Sequence, residues 1–185
     1  MNTFLLHRND QSGLSMIEVL VTIVILMVGL LGLAGLMTQG MRSEMESYQR
    51  VQALILLQDM MGRINTNRVN AASYVANDIG ILTDGQPAAC TAVAIGQSRD
   101  RCEWSNALKG AAEKSGANSI GAMIGGRGCV SAVNANTYLV SVAWQGLGKT
   151  FSQATNLCGK DQYGIDDAQR RVVSLTLTIA DLNAP

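Results

Sequence analysis

The sequence predicts an α+β protein in which one long N-terminal helix packs on a small antiparallel sheet that carries disulfides. Three observations predict this fold: an apolar run, a helical stripe of apolar residues beyond it, and two alternating β-branched segments near the C-terminus. With 185 residues, the chain is long enough for one domain with a core and an appendage. We expect residues 14–65 to form the helix and residues 66–185 an exported globular α+β domain.

The apolar run from Val19 to Met37 predicts a membrane-spanning helix. Thr22 is its only polar residue, and a helix of this length covers about 29 Å, close to the thickness of a hydrocarbon core. A secretory signal peptide has a shorter apolar region with a small-residue cleavage site soon after it. Here polar LMTQGMRSE follows instead. We therefore expect a retained span at about residues 19–37, with everything after it on the exported side.

The helix is expected to continue past the membrane to about Asn65, because no proline occurs before Pro87. Its second half is amphipathic. The predicted inward stripe steps by three or four residues, whereas polar side chains fall on the other side. The stripe is Val51, Leu54, Leu57, Met61 and Ile64, and the opposite side carries Gln52, Asp59 and Arg63.

The exported domain is predicted in less detail. We expect loops with a short helix over residues 66–102, irregular structure over 118–128, a turn at 134–136 and a polar loop over 146–167. The segment 103–114 predicts a surface helix with Trp104, Leu108 and either Ala111 or Ala112 inward. Two strands follow from alternation: residues 137–146, with one buried face, and residues 171–179. The buried face comprises Tyr138, Val140, Val142 and Trp144.

Composition excludes several functions. The chain has 14 basic and 14 acidic residues and no concentrated basic face, which argues against nucleic-acid binding. Its one histidine, His7, lies in the leader, so histidine catalysis and histidine metal ligation are not expected after leader removal. Asp161, Asp166 and Asp167 lack the spacing of a calcium loop and predict a solvated loop. We expect no enzyme activity, no cofactor, no metal and no small-molecule substrate.

The four cysteines predict disulfides. Cys90, Cys102, Cys129 and Cys158 form no C-x-x-C pair, which disfavours metal and redox motifs. An exported domain lies in an oxidising compartment, where disulfides persist. Three connectivities are possible. We favour Cys90–Cys102 as a local loop and Cys129–Cys158 as a clamp on the loop after the 137–146 strand.

A carboxylate, Glu18, stands directly in front of the apolar run. One explanation is local: Ser15 and Glu18 have the spacing of an S-x-x-E capping box, and a negative charge suits a helix start. A second explanation comes from the residues around it. Gly13, then Leu14, then Glu18 before an apolar run resembles the class III signal of type IV prepilins and the related type II secretion pseudopilins.

That resemblance implies specific processing. A prepilin peptidase of the inner membrane would remove residues 1–13 by cutting between Gly13 and Leu14 and would N-methylate Leu14. Glu18 would then pair with the Leu14 amine, either that of a neighbouring subunit, which would set the register of subunits in a fibre, or that of its own chain. Family members more often have phenylalanine as the first mature residue and a more basic leader.

The resemblance extends along most of the chain. A long helix before a small disulfide-bonded antiparallel sheet is the pilin architecture, and the segments GCV, YLVSVAW, Cys158 and RRVVSLTLTI resemble the PilV family of minor pilins. This implies a structural subunit that helps to start type IV pilus assembly, with roles in attachment and twitching. Its partners would be other minor pilins and the major pilin, first in the inner membrane and then in the pilus. The alternatives are a type II secretion pseudopilin and, in a different class, a membrane-anchored exported binding domain.

Overall fold

A computed structural model describes residues 13, 15–111, 114–116, 118, 119, 121, 123–151 and 154–180, with the side chains of 114, 115, 118 and 119 left aside. The chain divides into two compact units, the first ending at Ser43 and the second beginning at Glu44. The first unit contains the start of a long helix. The second contains the rest of that helix, a short helix and two sheets. The α+β, pilin-like fold class predicted above is confirmed.

The long helix, α1, runs from Met16 to Thr66 without a break. It ends where the Thr66 hydroxyl donates to the carbonyl oxygen of Gly62 at 2.9 Å and the Asn67 N–H donates to that of Arg63 at 3.1 Å. A short 3-10 helix, Arg68–Tyr74, follows. The predicted end at Asn65 is therefore within one residue of the observed end. The predicted start, Leu14, lies outside the described residues.

The buried face of α1 differs from the predicted stripe. Leu57 and Ile64 are buried as expected, but Val51 is 54% exposed and Leu54 and Met61 are only half-buried. The observed face is formed by Gln49, Ala53, Leu56, Leu57, Met60 and Ile64. The buried face is set by the residues that pack against it and not by the size of its own side chains. Trp104 is one of these residues, and its buried indole donates from Nε1 to the carbonyl oxygen of Leu56 at 2.8 Å.

The main sheet has four antiparallel strands in the order β1-β4-β5-β6, and a separate two-stranded sheet pairs β2 with β3. The strands are β1 Ala76–Ile79, β2 Lys114–Ser115, β3 Asn118–Ser119, β4 Ile124–Asn134, β5 Thr137–Gln145 and β6 Arg170–Thr178. β5 and β6 confirm the two predicted strands. The turn between β4 and β5 is also confirmed, and the Asn136 N–H there donates to the side-chain oxygen of Asn134 at 3.1 Å.

Four strands, β1 to β4, were not predicted. β1 contains Asp78 in the left-handed region, with φ of 55°, and lacks a strand pattern. The prediction of irregular structure over 118–128 was wrong at Asn118–Ser119, which forms β3, and from Ile124 onward, where β4 begins. Its glycines serve packing: a Cβ at Gly128 would collide with the Trp104 ring and would lie 2.8 Å from Leu108 Cδ1.

The second helix, α2, spans Gln97–Leu108 rather than the predicted 103–114. Its end is set by Gly110, with φ of +78°. The Ala111 N–H donates to the carbonyl oxygen of Asn106 and the Gly110 N–H to that of Ala107, a Schellman arrangement that needs a left-handed residue. Trp104 and Leu108 point inward as predicted, at 0% and 2% exposure.

Both faces of β5 are buried, whereas one buried face was predicted. Tyr138, Val140, Val142 and Trp144 belong to the main core with α1. On the opposite face, Ala143 packs with Tyr163 and with the disulfide of Cys129 and Cys158. The loop after β5 thus covers the outer surface of the sheet, which alternation alone did not indicate.

Candidate functional site

The start of α1 presents its polar residues to solvent. The carbonyl oxygen of Ser15 accepts from the N–H of Glu18 at 2.9 Å and from that of Val19 at 3.3 Å, which makes Ser15 the N-cap. Gly13, Ser15 and Glu18 are exposed, and Leu14 lies outside the described residues. Among the described residues, no side-chain hydrogen bond joins Ser15 to Glu18, so the side-chain half of the capping box is not formed.

Gly13 is not required by the chain's own packing. A Cβ added there meets nothing within 4 Å, and the residue is not in the left-handed region. A glycine is therefore tolerated here but not needed for folding.

The apolar segment of α1 has no protein partner within the described chain. Among the described helices, α1 is long and apolar enough to cross a membrane. No part of its most apolar stretch is buried. The polar groups in it are satisfied internally: the Thr22 hydroxyl donates to the carbonyl oxygen of Val19 at 2.8 Å, and the Thr38 hydroxyl to that of Ala34 at 3.0 Å. Such bonding suits a segment whose surroundings offer no water.

Within the second unit, Arg63 joins α1 to α2. Its guanidinium lies 2.9 Å from Asp59, 3.2 Å from Asp100 and 2.6 Å from Glu103. Burial opposes the positive charge, but the hydrogen bonds that Arg63 donates to Glu103 and Asp59 outweigh burial and raise the pKa of Arg63 above its usual range. Sequence reasoning placed Arg63 on the solvent side and missed this role, since its partners on α2, Asp100 and Glu103, are 37 and 40 positions away in the sequence.

Asp100 also accepts a hydrogen bond from the buried Tyr74 hydroxyl. Burial, and then the bond to the Asp100 carboxylate, raise the pKa of Tyr74 to about 12. The Tyr74 phenol stays neutral at physiological pH, and the Arg63 guanidinium is paired with three carboxylates. Both groups are therefore suited to holding α1 and the 3-10 helix against α2. They do not supply a proton donor or acceptor that titrates near pH 7.

A second polar cluster centres on Asp84. Its carboxylate accepts from Lys109 Nζ and from the Ser105 hydroxyl, both at 2.6 Å, and from the backbone N–H of Gly80 at 2.8 Å. Burial alone would raise the pKa of Asp84. The hydrogen bonds, led by the one from Lys109, lower it to about 2. This cluster fixes the loop after β1 against α2.

The cysteines pair as favoured above. Disulfides join Cys90 to Cys102 and Cys129 to Cys158, with Cα–Cα distances of 5.8 Å in each. The first ties a short 3-10 helix, Cys90–Ala92, to α2, and the second ties the loop after β5 to β4. They are structural crosslinks, and none of the four cysteines is free.

The prediction of a solvated loop was wrong for Asp167. It is 4% exposed, pairs with Arg170 at 2.9 Å and accepts from the backbone N–H groups of residues 161–163. Burial opposes its charge, but those N–H groups and Arg170 lower the pKa of Asp167 below its usual range. Among the described residues, no group of three His, Cys, Asp or Glu side chains is arranged to hold a metal ion.

Residues 8–34 match the family model described as the prokaryotic N-terminal methylation motif. The match includes Gly13, Leu14 and Glu18 and ends within the apolar run. No curated protein and no solved structure matched the chain. The motif supports a type IV pilin-like or pseudopilin protein, a class of structural subunits. It implies processing by a prepilin peptidase, membrane anchoring and assembly with other pilins.

Proposed function

We propose that the chain is a minor pilin, a structural subunit that helps to start a type IV pilus and is incorporated into it. The observation that carries this proposal is the methylation motif at residues 8–34. It overlaps the start of α1, whose most apolar stretch is wholly exposed. A retained, unburied apolar helix needs another covering. The membrane provides one before assembly, and neighbouring helices in a fibre provide another.

The processing step follows from the residues at the junction. A prepilin peptidase would hydrolyse the peptide bond between Gly13 and Leu14, freeing the Leu14 amine for N-methylation. Gly13 is exposed, and no atom of the described residues lies within 4 Å of a Cβ placed on it, which supports access by such an enzyme. The new amine is normally protonated near neutral pH.

Glu18 is then the counter-charge for that amine. In a bundle of apolar helices, both charges leave water, and an unpaired buried charge is strongly unfavourable. Pairing the Leu14 amine of one subunit with Glu18 of a neighbour favours one axial register over its alternatives, as a polar residue does in a coiled coil. Glu18 is exposed in the described part of the chain, which leaves its carboxylate available for this pairing.

The mature N-terminus tests the proposal. Mass spectrometry of the protein from its native membrane should find Leu14 as the first residue, heavier by one methyl group. Gly13→Val should block cleavage and leave the longer precursor in the membrane, because the larger side chain would not fit the peptidase. An uncut wild-type chain would reject the proposal and favour a membrane-anchored exported binding domain.

A type II secretion pseudopilin is the second candidate, since the motif at residues 8–34 supports both kinds of subunit. Surface fibres sheared from cells separate the two. A minor pilin should be found in those fibres together with the major pilin and other minor pilins. A pseudopilin should be absent from them while still carrying methylated Leu14.

A further inference from the structure

The loop after β5, residues 146–151, presents large apolar side chains to solvent. Phe151 is 100% exposed and Leu147 is 42% exposed. Lys149 lies between them, is exposed, and has no ion-pair partner in the part of the chain that the structure describes. Leaving a side chain such as phenylalanine in water rather than buried costs about 1.5–3 kcal/mol.

This exposure occurs on a fixed backbone. The Gly146 N–H donates to the carbonyl oxygen of Gln169 at 2.8 Å, and the Thr150 N–H to that of Ala168 at 2.6 Å. Between these bonds, the Gly148 N–H donates to Glu46 Oε1 at 3.3 Å. A surface that is already ordered loses little conformational entropy when it binds, which favours docking.

Arg171 completes the loop's support. It donates to Glu46 Oε1 at 3.1 Å and to the carbonyl oxygen of Gly148 at 3.0 Å. Gly146 makes room for it, since a Cβ there would lie 2.8 Å from the Arg171 guanidinium carbon. The nearby carboxylate of Glu46 is thus already paired, so the unpaired charge that the loop offers is the positive charge of Lys149.

The loop is also tethered close to lipid, if the proposed function is correct and the run ending at Met37 lies in the membrane. Glu46, which holds the loop, follows Met37 by nine positions. Even a fully extended chain of that length reaches only about 30 Å. The loop therefore belongs to a part of the second unit that cannot move far from the bilayer surface before assembly.

An aromatic residue, an aliphatic residue and a lysine are the residue types that occupy the interfacial layer of membranes. Rings and aliphatic chains enter at the headgroup level, and the lysine amine reaches the phosphates. We propose that residues 146–151 dock the second unit on a phospholipid surface that contains anionic headgroups. Phe151 and Leu147 enter the interfacial layer and Lys149 pairs with lipid phosphate.

The test uses the full chain reconstituted in vesicles of phosphatidylcholine and phosphatidylglycerol with brominated acyl chains, which quench nearby tryptophan. Phe151→Trp reports on the loop. Ile95→Trp is the matched control, because Ile95 is 86% exposed in the same unit. Native Trp104 and Trp144 are 0% and 3% exposed and give a constant background. We expect at least about twofold stronger quenching for Phe151→Trp than for Ile95→Trp.

Adding Lys149→Glu to Phe151→Trp should reduce quenching in vesicles with phosphatidylglycerol and change it less in pure phosphatidylcholine. Equal quenching of the Phe151→Trp and Ile95→Trp proteins would overturn the proposal. Protection of the Phe151→Trp indole from aqueous iodide only when other subunits are present would also overturn it, in favour of a protein contact. The N-terminus of the native protein is measured separately. If Leu14 is methylated but the Phe151→Trp indole is not quenched, the docking proposal is rejected and the proposed pilin function is unaffected.

Discussion

In the first unit, the large apolar side chains of α1 from Met16 to Met41 are between 45% and 88% exposed, whereas in the second unit Ala53, Leu57 and Ile64 of the same helix are 0% exposed. Both stretches are helical and rich in aliphatic residues. They differ in what surrounds them. The second unit supplies its own covering from the main sheet and Trp104, while the described residues of the first supply none.

This difference teaches where each unit's stability comes from. The second unit has a core, two disulfides and buried ion pairs, so its folding can be disturbed by changes within it. In the proposed function the first unit is covered by lipid or by neighbouring subunits, so changes there should affect insertion and assembly and leave the second unit's stability unaltered. Trp104 and Trp144 both lie in the second unit, and their fluorescence reports on its unfolding alone.

The largest expected effect concerns Glu18 in the first unit. Glu18→Gln should insert and be cleaved after Gly13 but should be excluded from fibres, because an amine left unpaired in the bundle costs about 3–5 kcal/mol. The measurement is the ratio of variant to wild-type subunit in sheared fibres at matched membrane levels. Ser15→Ala is the control and should assemble nearly normally. A glutamine variant that enters fibres as well as wild type would show that Glu18 acts only at the helix start.

The disulfides should matter only to the second unit. Replacing Cys129 and Cys158 together by alanine should lower the free energy of unfolding by about 3.5 kcal/mol, and replacing Cys90 and Cys102 by about 3 kcal/mol. The order follows from the sequence separations of 29 and 12 residues, since the longer loop is more restricted by its crosslink. Denaturant unfolding followed by tryptophan fluorescence measures both. A reversed order would contradict the chain-entropy reasoning.

A matched pair of leucines compares the two parts of α1 directly. Leu57→Ala should reduce the free energy of unfolding of the second unit by about 3 kcal/mol, because it leaves a cavity at a fully buried site. Leu30→Ala, at a position 65% exposed in the first unit, should leave that quantity unchanged. Equal losses in the two variants would mean that the units do not unfold separately.

The smallest effect is a pH dependence confined to the second unit. The pKa of Asp84 is lowered to about 2 in the folded protein, so folding favours the carboxylate. The stabilisation that the ionised Asp84 contributes is present above its ordinary pKa near 3.8 and is lost as the pH falls toward 2. The loss should reach at most about 2 kcal/mol. Between pH 5 and about 2, the free energy of unfolding should depend less steeply on pH in Asp84→Asn than in wild type. Equal dependence on pH in the two proteins would show that Asp84 does not cause the effect.

The sequence by itself determined the features that depend on local pattern. An apolar run, an apolar stripe of helical spacing beyond it and the absence of proline before Pro87 predicted one long helix, and its C-terminal end was predicted to within a residue. Alternation specified β5 and β6 in the same way. The pattern of Gly13, Leu14 and Glu18 is also local, and it lies within residues 8–34, which match the model of the prokaryotic N-terminal methylation motif.

The tertiary structure decided what depends on partners distant in sequence. Which face of α1 is buried was set by Trp104, whose indole bonds to Leu56 from 48 positions away. The glycines of β4 led to a prediction of irregular structure. The fold shows that the Trp104 ring occupies the space that a side chain at Gly128 would fill. The ion pairs of Arg63 with Asp100 and Glu103 likewise join residues that are 37 and 40 positions apart. Such contacts carry no periodic signal, because their free energy arises only when the chain brings the two sides together.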